Sequence, residues 1–300
     1  MDGMFFSHLS RRVLSLMALK FRFSVFFIFL IFSPFSIADD YANLDKMLSS
    51  VQNNIESRLD SIIIKHSRLA KLDGEELSPS TLFIYSDPVI NTAILQQNPL
   101  IGLDLPYRVL FYHDASGADA VTATTSHFIQ KRYEFNDSVL LDEFDQNLNA
   151  VLGNINPESI KSLNTKELKH HYGMLEFQSR YDFNTTLERF KAEILGNNSD
   201  TEWFGEIDYT LDAARLGVTL PRMKLLLFGA PVPGAKAMRD YKKLGLDAFC
   251  QKVLLIEKNG VVSLYSNDLV DMARLHYGKT KPPHRVINFR LNQAYSKIVK

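Results

Sequence analysis

Three hundred residues suggest roughly two domains, and 46% hydrophobic with 23% charged residues excludes wholesale disorder. Basic and acidic residues balance at 34 each, so no basic stripe argues for nucleic acid. The lone cysteine, Cys250, excludes an internal disulfide.

The chain opens on an export pattern. Arg11, Arg12, Lys20 and Arg22 form a basic region, residues 25–32 an apolar run, and Ser36-Ile37-Ala38 a small-x-small cleavage site. The run is shorter than the roughly 20 residues of a membrane span. Residues 1–38 are therefore expected to be a removed signal peptide, and the mature protein to be periplasmic or extracytoplasmic. Cleavage leaves 30 basic and 33 acidic residues, a net charge near −3, which gives no reason to bind anionic membranes.

Leu44, Met47 and Val51 then lie at helical spacing. Residues 61–65 and 82–85 read as strands, and 109–112 begin a hairpin closed by Ala115-Ser116-Gly117. Leu140, Leu141, Phe144, Leu148 and Val151 predict a connecting helix stopped by Gly153 and Pro157. Beyond it, 175–181 alternate as a strand. A helix follows, with Asn184 or Thr185 as cap and Glu188 closing a capping box. Strands are expected at 203–208 and 223–228, helical turns at 211–216 and 235–244, with Pro231 and Gly234 punctuating between. A hairpin turns on Asn259-Gly260, and Asn267 or Asp268 caps a last helix through His276.

These elements are one unit written twice. Leu44, Ile64, Ala70, Leu77, Leu82, Pro88, Val89, Gly102, Leu103 and Asp104 recur 143 residues later as Leu187, Ile207, Ala213, Leu220, Leu225, Pro231, Val232, Gly245, Leu246 and Asp247. The offset divides the chain into 39–133, a first and degenerate repeat, a helical connector at 134–173, a second repeat at 174–278, and a tail at 279–300. Each repeat reads β-α-β-β-α-β-β-α, an α+β unit with an antiparallel sheet and helices on one face, and the tandem reads as an internal pseudo-dimer in a monomeric chain. The offset places the first repeat's opening strand at 32–39, inside the export segment, so that its sheet would have an unpaired edge. Ile287, Phe289 and Leu291 alternate with polar residues. They predict a strand in the tail that fills this edge; the alternatives are a strand that extends the second sheet, or a loose tail.

The second repeat resembles domain-of-unknown-function family 302 through Glu206-Ile207-Asp208, Ala213-Ala214, Leu220-Pro221, residues 227–231 and residues 264–268. In the first repeat residues 105–110 resemble that family's strand motif. The resemblance implies small α+β domains that pair, with no established activity. It also marks departures. The family's Asp-His pair becomes Asp208-Tyr209 in one repeat and Lys65-His66 in the other, Arg108 becomes Lys252, and Asn267-Asp268 align with Ala123-Thr124. No complete polar set survives in either half, which leaves at most one composite site.

Asp208, Tyr209, Asn267 and His66 are the candidate ligand-binding residues, lining a cleft between the repeats. Asp208 with His276 could do acid–base work if they converge; otherwise Asp208 caps a helical turn and His276 satisfies helix carbonyls. His170 and His171, adjacent near a strand, would point to opposite faces, and Cys250 reads as a small core residue; no metal or cofactor is expected. Gly229 to Gly234 lack the order of a phosphate loop and read as a turn. The Gly-Leu-Asp repeat reads as a helix stop. The resulting expectation is an exported, non-catalytic binding module for a small molecule or protein partner. The rivals are an enzyme with a composite acid/base site in the second repeat, and a structural envelope protein.

Overall fold

Near-continuous apolar runs become the central strands of two antiparallel sheets. The computed structural model describes residues 42–58, 62–66, 71–72, 75–76, 80–196, 201–248 and 250–300; the expected signal peptide and the strand position at 32–39 lie outside them. Helix α1 (Ala42–Arg58) is followed by β1 (Ile62–His66), the short β2 (Lys71–Leu72) and β3 (Glu75–Glu76), and β4 (Ser80–Tyr85). Next come α2 (Pro88–Gln97), a 3-10 turn (Pro99–Leu103), β5 (Tyr107–His113), β6 (Asp119–Ala123) and α3 (Ser126–Tyr133). The first sheet runs β1-β4-β5-β6. After α4 (Ser138–Leu152), which matches the predicted connecting helix, the second repeat begins with β7 (Met174–Gln178) and α5 (Phe183–Gly196). It continues through β8 (Glu202–Asp208), α6 (Tyr209–Arg215), β9 (Arg222–Gly229), α7 (Pro231–Met238), a 3-10 turn (Lys242–Leu244) and α8 (Gly245–Ala248). It closes with β10 (Gln251–Lys258), β11 (Val261–Asn267), α9 (Leu269–Tyr277) and α10 (Pro282–Ile298). Its sheet runs β7-β11-β10-β9-β8.

Among the described residues the two sheets share an order, with β7 added at the edge of the second. The connector meets the corresponding edge of the first: the Lys161 amide donates to the Val121 carbonyl at 2.7 Å, and the Thr122 hydroxyl to the Lys161 carbonyl at 2.7 Å. The tail does neither thing the alternation predicted. Residues 282–298 are helix, with Pro282 and Pro283 in the first turn, where missing amide donors cost nothing. Tyr295, Ile298 and Val299 join Phe183, Phe190, Leu226, Phe228, Val253 and Leu255 in one buried cluster, so α10 and α5 cover the outer face of the second sheet.

Local signals shift in two more places. Asp182, not Asn184 or Thr185, caps α5, accepting from the Thr185 amide at 3.1 Å and its hydroxyl at 2.6 Å. Helix α7 begins at Pro231 itself, so the Gly229–Gly234 stretch is a helix start as much as a turn. Thr125 caps α3 as Asp268 caps α9. That equivalence keeps the 143-residue offset and sets Asn267 opposite Thr124 rather than Ala123.

The repeated glycines explain how the halves meet. A Cβ on Gly102 would stand 2.9 Å from Met223 Cε and 3.1 Å from Leu254 Cδ1; one on Gly245 would stand 2.8 and 2.9 Å from the Leu110 methyls. Each repeat thus lays its Gly-Leu-Asp turn across the other repeat's sheet. Because strand side chains alternate, Arg108 shares the inter-repeat face of β5 with Leu110, and Lys252 that of β10 with Leu254. Gly245→Val is expected to cost about 1–3 kcal/mol by overpacking against Leu110. Gly102→Ala, facing the flexible end of Met223, should cost less; equal losses in denaturant unfolding would refute this contact asymmetry.

Candidate functional site

The paired turns carry two aspartates into the interior between the repeats. Asp104 is fully buried and receives Arg132 Nη1 at 2.6 Å, Lys252 Nζ at 2.7 Å, the Tyr133 hydroxyl at 2.7 Å and Arg108 Nη2 at 3.1 Å. Asp247 receives Lys252 at 3.3 Å and Asn267 Nδ2 at 2.9 Å, and lies 3.4 Å from His276 Nε2. Arg132 also donates to Asn267 Oδ1 at 2.7 Å and to the Tyr172 carbonyl at 3.0 Å. One connected polar network therefore spans both repeats, with Lys252 of the second clamped on Asp104 of the first.

Three cations, Arg108, Arg132 and Lys252, face two carboxylates. Burial alone would raise the aspartate pKa values, but Arg132, Lys252 and Arg108 hold Asp104 far below the usual carboxylate range. Lys252 and His276 do the same for Asp247 against its own burial. Lys252 moves the other way. Burial, reinforced by Arg108, pulls it down to about 8 despite the two carboxylates, since losing its proton balances the cluster.

This has a sign in pH. A lysine depressed in the folded state destabilises it below about pH 8, and the penalty disappears as pH rises toward the unfolded value of about 10.4. Burial pushes the Cys250 thiol up to about 12, which opposes the trend in the same window. Comparison with Lys252→Met removes that contribution: the stability difference should move in favour of the unsubstituted chain between pH 8 and about 10. A flat difference across that range would refute a strained Lys252.

The sequence-predicted residues divide. Asn267 is in the network. Tyr209 is buried and donates its hydroxyl to the Gly102 carbonyl at 3.0 Å, stitching the second repeat to the first repeat's turn. Tyr209→Phe should cost about 1 kcal/mol, read as a lowered midpoint in denaturant. Asp208 sits apart: it caps α6 through the Leu211 amide at 2.9 Å and pairs with Lys224 at 2.9 Å. His66 ends β1, and its side chain lies outside the described residues. His276 pairs with Asp247 rather than with Asp208 or helix carbonyls. His170 and His171 occupy a turn, not a strand, and their rings stack 3.8 Å apart. Sequence reasoning passed over Asp104, Asp247 and Arg132 as chemical groups. The Gly-Leu-Asp repeat was their signal, since an acid retained in both copies beside a glycine has a partner to reach.

The family model for the domain of unknown function DUF302 matches this chain twice, over residues 61–155 and 175–288. The chain belongs to the DUF302 family. The first DUF302 match includes α4, and the second runs into α10. A crystal structure of an uncharacterised conserved DUF302 protein from Bacillus stearothermophilus is similar at 14% identity and a TM-score of 0.35, over 42% of this chain and 95% of that one. Among curated proteins, the fluoride-specific ion channel FluC 1 of Brucella suis is 31% identical over 106 residues, 35% of this chain and 40% of that protein. FluC 1 of Brucella abortus matches equally, over 38% of its length. The chain thus spans well under half the length of these curated relatives. Among the described residues, no helix is long and apolar enough to cross a membrane.

Proposed function

We propose that this DUF302 tandem is an exported, non-catalytic binding module that recognises its ligand or partner on its outer surface. One observation carries the reading: the acids and bases between the repeats are buried and paired with one another. Asp104, Asp247, Arg132, Lys252 and His276 all take their partners from inside the protein. A general acid or base must reach a substrate proton directly or through one water, and these groups are committed to holding the halves together. Asp208 and His276, the pair an enzyme would use, have separate partners. The space between the repeats is packed with side chains, as the contacts at Gly102 and Gly245 require, so recognition moves outward. The N-terminal basic region, apolar run and Ala38 site support export.

Native mass spectrometry of the protein purified from its own host tests the reading. A discrete non-covalent adduct that survives Asp104→Glu, and a mature N-terminus at Asp39, are expected. A bare mass in every preparation, with the leader intact, would overturn it. Turnover of a substrate that Lys252→Met abolishes in a folded protein would favour the enzyme instead.

A further inference from the structure

Part of the described surface gathers positive charge that a mildly acidic mature chain does not predict. A cavity of about 550 Å³ opens where the connector meets the junction of α9 and α10. Lys169, Arg274, Lys279 and Arg285 line it, with Glu167 as the single acid among the lining residues. Two segments about a hundred residues apart in sequence supply these cations, Lys169 from the connector and the other three from residues 274–285. Among the described residues, no ion-pair partner is found for Lys169, Lys279 or Arg285. Arg274 contacts Asp271 at 3.1 Å, but this pair is exposed and of the weak kind that solvent screens. Like charges so arranged repel one another unless an anion joins them.

The walls are held in place from within. On one side, the Tyr172 carbonyl accepts from buried Arg132, the His171 amide donates to the Arg132 carbonyl at 2.7 Å, and the Tyr172 hydroxyl reaches the Asp271 carbonyl at 3.3 Å. On the other, buried His284 anchors the turn that carries Lys279 and Thr280. Its Nδ1 accepts the Lys281 amide at 3.1 Å, which makes its Nε2 the protonated nitrogen that donates to the Ala237 carbonyl at 2.8 Å. Gly278, at φ 67°, ends α9 in the left-handed conformation and leaves that rim without a side chain. A ligand here pays little ordering cost, because the backbone bearing the cations is already fixed.

We infer that this groove binds a small multivalent oxyanion, an organic phosphate or a polycarboxylate. Arg274 and Arg285 offer planar forks suited to such oxygens, Lys169 and Lys279 add point charges, and the Tyr172 ring borders the space for an organic body. The volume falls in the range of small-molecule sites. This names a ligand class and a place for the binding role proposed above, and rests on that reading.

Isothermal titration of the full chain with pyrophosphate and, separately, with citrate tests it, alongside flotation with phosphatidylglycerol vesicles to detect a lipid headgroup as the source of the anion. Saturable binding of a free oxyanion that weakens with added salt is expected. Lys279→Glu and Arg285→Glu should each weaken it by about tenfold or more, with an unchanged melt because both side chains are exposed. No saturable binding, equal binding by the double variant that combines Lys279→Glu with Arg285→Glu, or binding to vesicles alone would overturn the inference. A co-purifying adduct that persists in the double variant would also retire this groove, while leaving the protein a binding module.

Discussion

Truncation after Gly278 is expected to abolish cooperative folding of the second repeat. The cut removes α10 and the residues that follow it, and with them Tyr295, Ile298 and Val299, which share a buried cluster with Phe190, Leu226, Val253 and Leu264. At about 1.5–3 kcal/mol for each buried side chain, the loss is on the order of 5–8 kcal/mol. That equals much of the 5–15 kcal/mol by which a folded protein is stable. The cut also frees Arg189, which donates to the Ile298 carbonyl at 2.7 Å and the Lys297 carbonyl at 2.9 Å. The measurement is near-UV circular dichroism during thermal unfolding, with dye binding to report the uncovered sheet. An undiminished, cooperative melt would show that α10 is only an appendage. Two single substitutions sharpen the test. Tyr295→Ala should cost about 3–5 kcal/mol as a cavity. Tyr295→Phe should cost little or nothing, since the buried hydroxyl has no hydrogen-bond partner among the described residues.

Asp104→Asn should be the most damaging isosteric change in the molecule. The carboxylate accepts from Arg132, Lys252, Arg108 and Tyr133 at 3.1 Å or less. Without its charge, three buried cations share only Asp247. Breaking a buried ion pair from one side costs about 3–5 kcal/mol, which corresponds to a fall in Tm on the order of 10 °C for a chain of this size. Asp247→Asn should cost less, because its ionic contacts are longer, 3.3 Å to Lys252 and 3.4 Å to His276. The double variant Asp104→Asn with Lys252→Met should be more stable than the single, since it removes one stranded cation along with the lost anion. Equal losses at Asp104 and Asp247, or additive losses in the double variant, would mean the network is not coupled as its geometry implies. Acid should act in the same direction. Both aspartates are depressed in the folded state, so the stability they contribute is present above their unfolded pKa near 4 and is lost as pH falls below it.

The tail shows where pattern reading failed. Ile287, Phe289 and Leu291 alternate as a strand would, but Phe289 is 61% exposed and belongs to no core. The residues that pack are Ile287, Leu291, Ala294, Tyr295 and Ile298, at helical spacings of three and four. Pro282-Pro283 fits a helix start as well as a stop. Among the described residues, what meets the β6 edge of the first sheet is not the tail but Ile160 and Lys161 of the connector, a stretch with no strand pattern. One backbone hydrogen bond and one from the Thr122 hydroxyl make that contact, and two such contacts leave no periodicity.

Pattern alone was enough for the duplication, the apolar strands at β4, β5, β9 and β10, and the hairpin on Asn259-Gly260. Each of these follows from interactions between residues near in sequence, or from spacing kept in two copies. Asp104 against Lys252, 148 residues apart, and Arg132 against Asn267, 135 apart, follow from neither. A charged side chain on an alternating strand reads as solvent-facing until the other repeat is laid across it. What turned these residues inward was the contact of Gly102 and Gly245 with the opposite sheets. Once that interface excluded water, the charges could be buried only by pairing with one another.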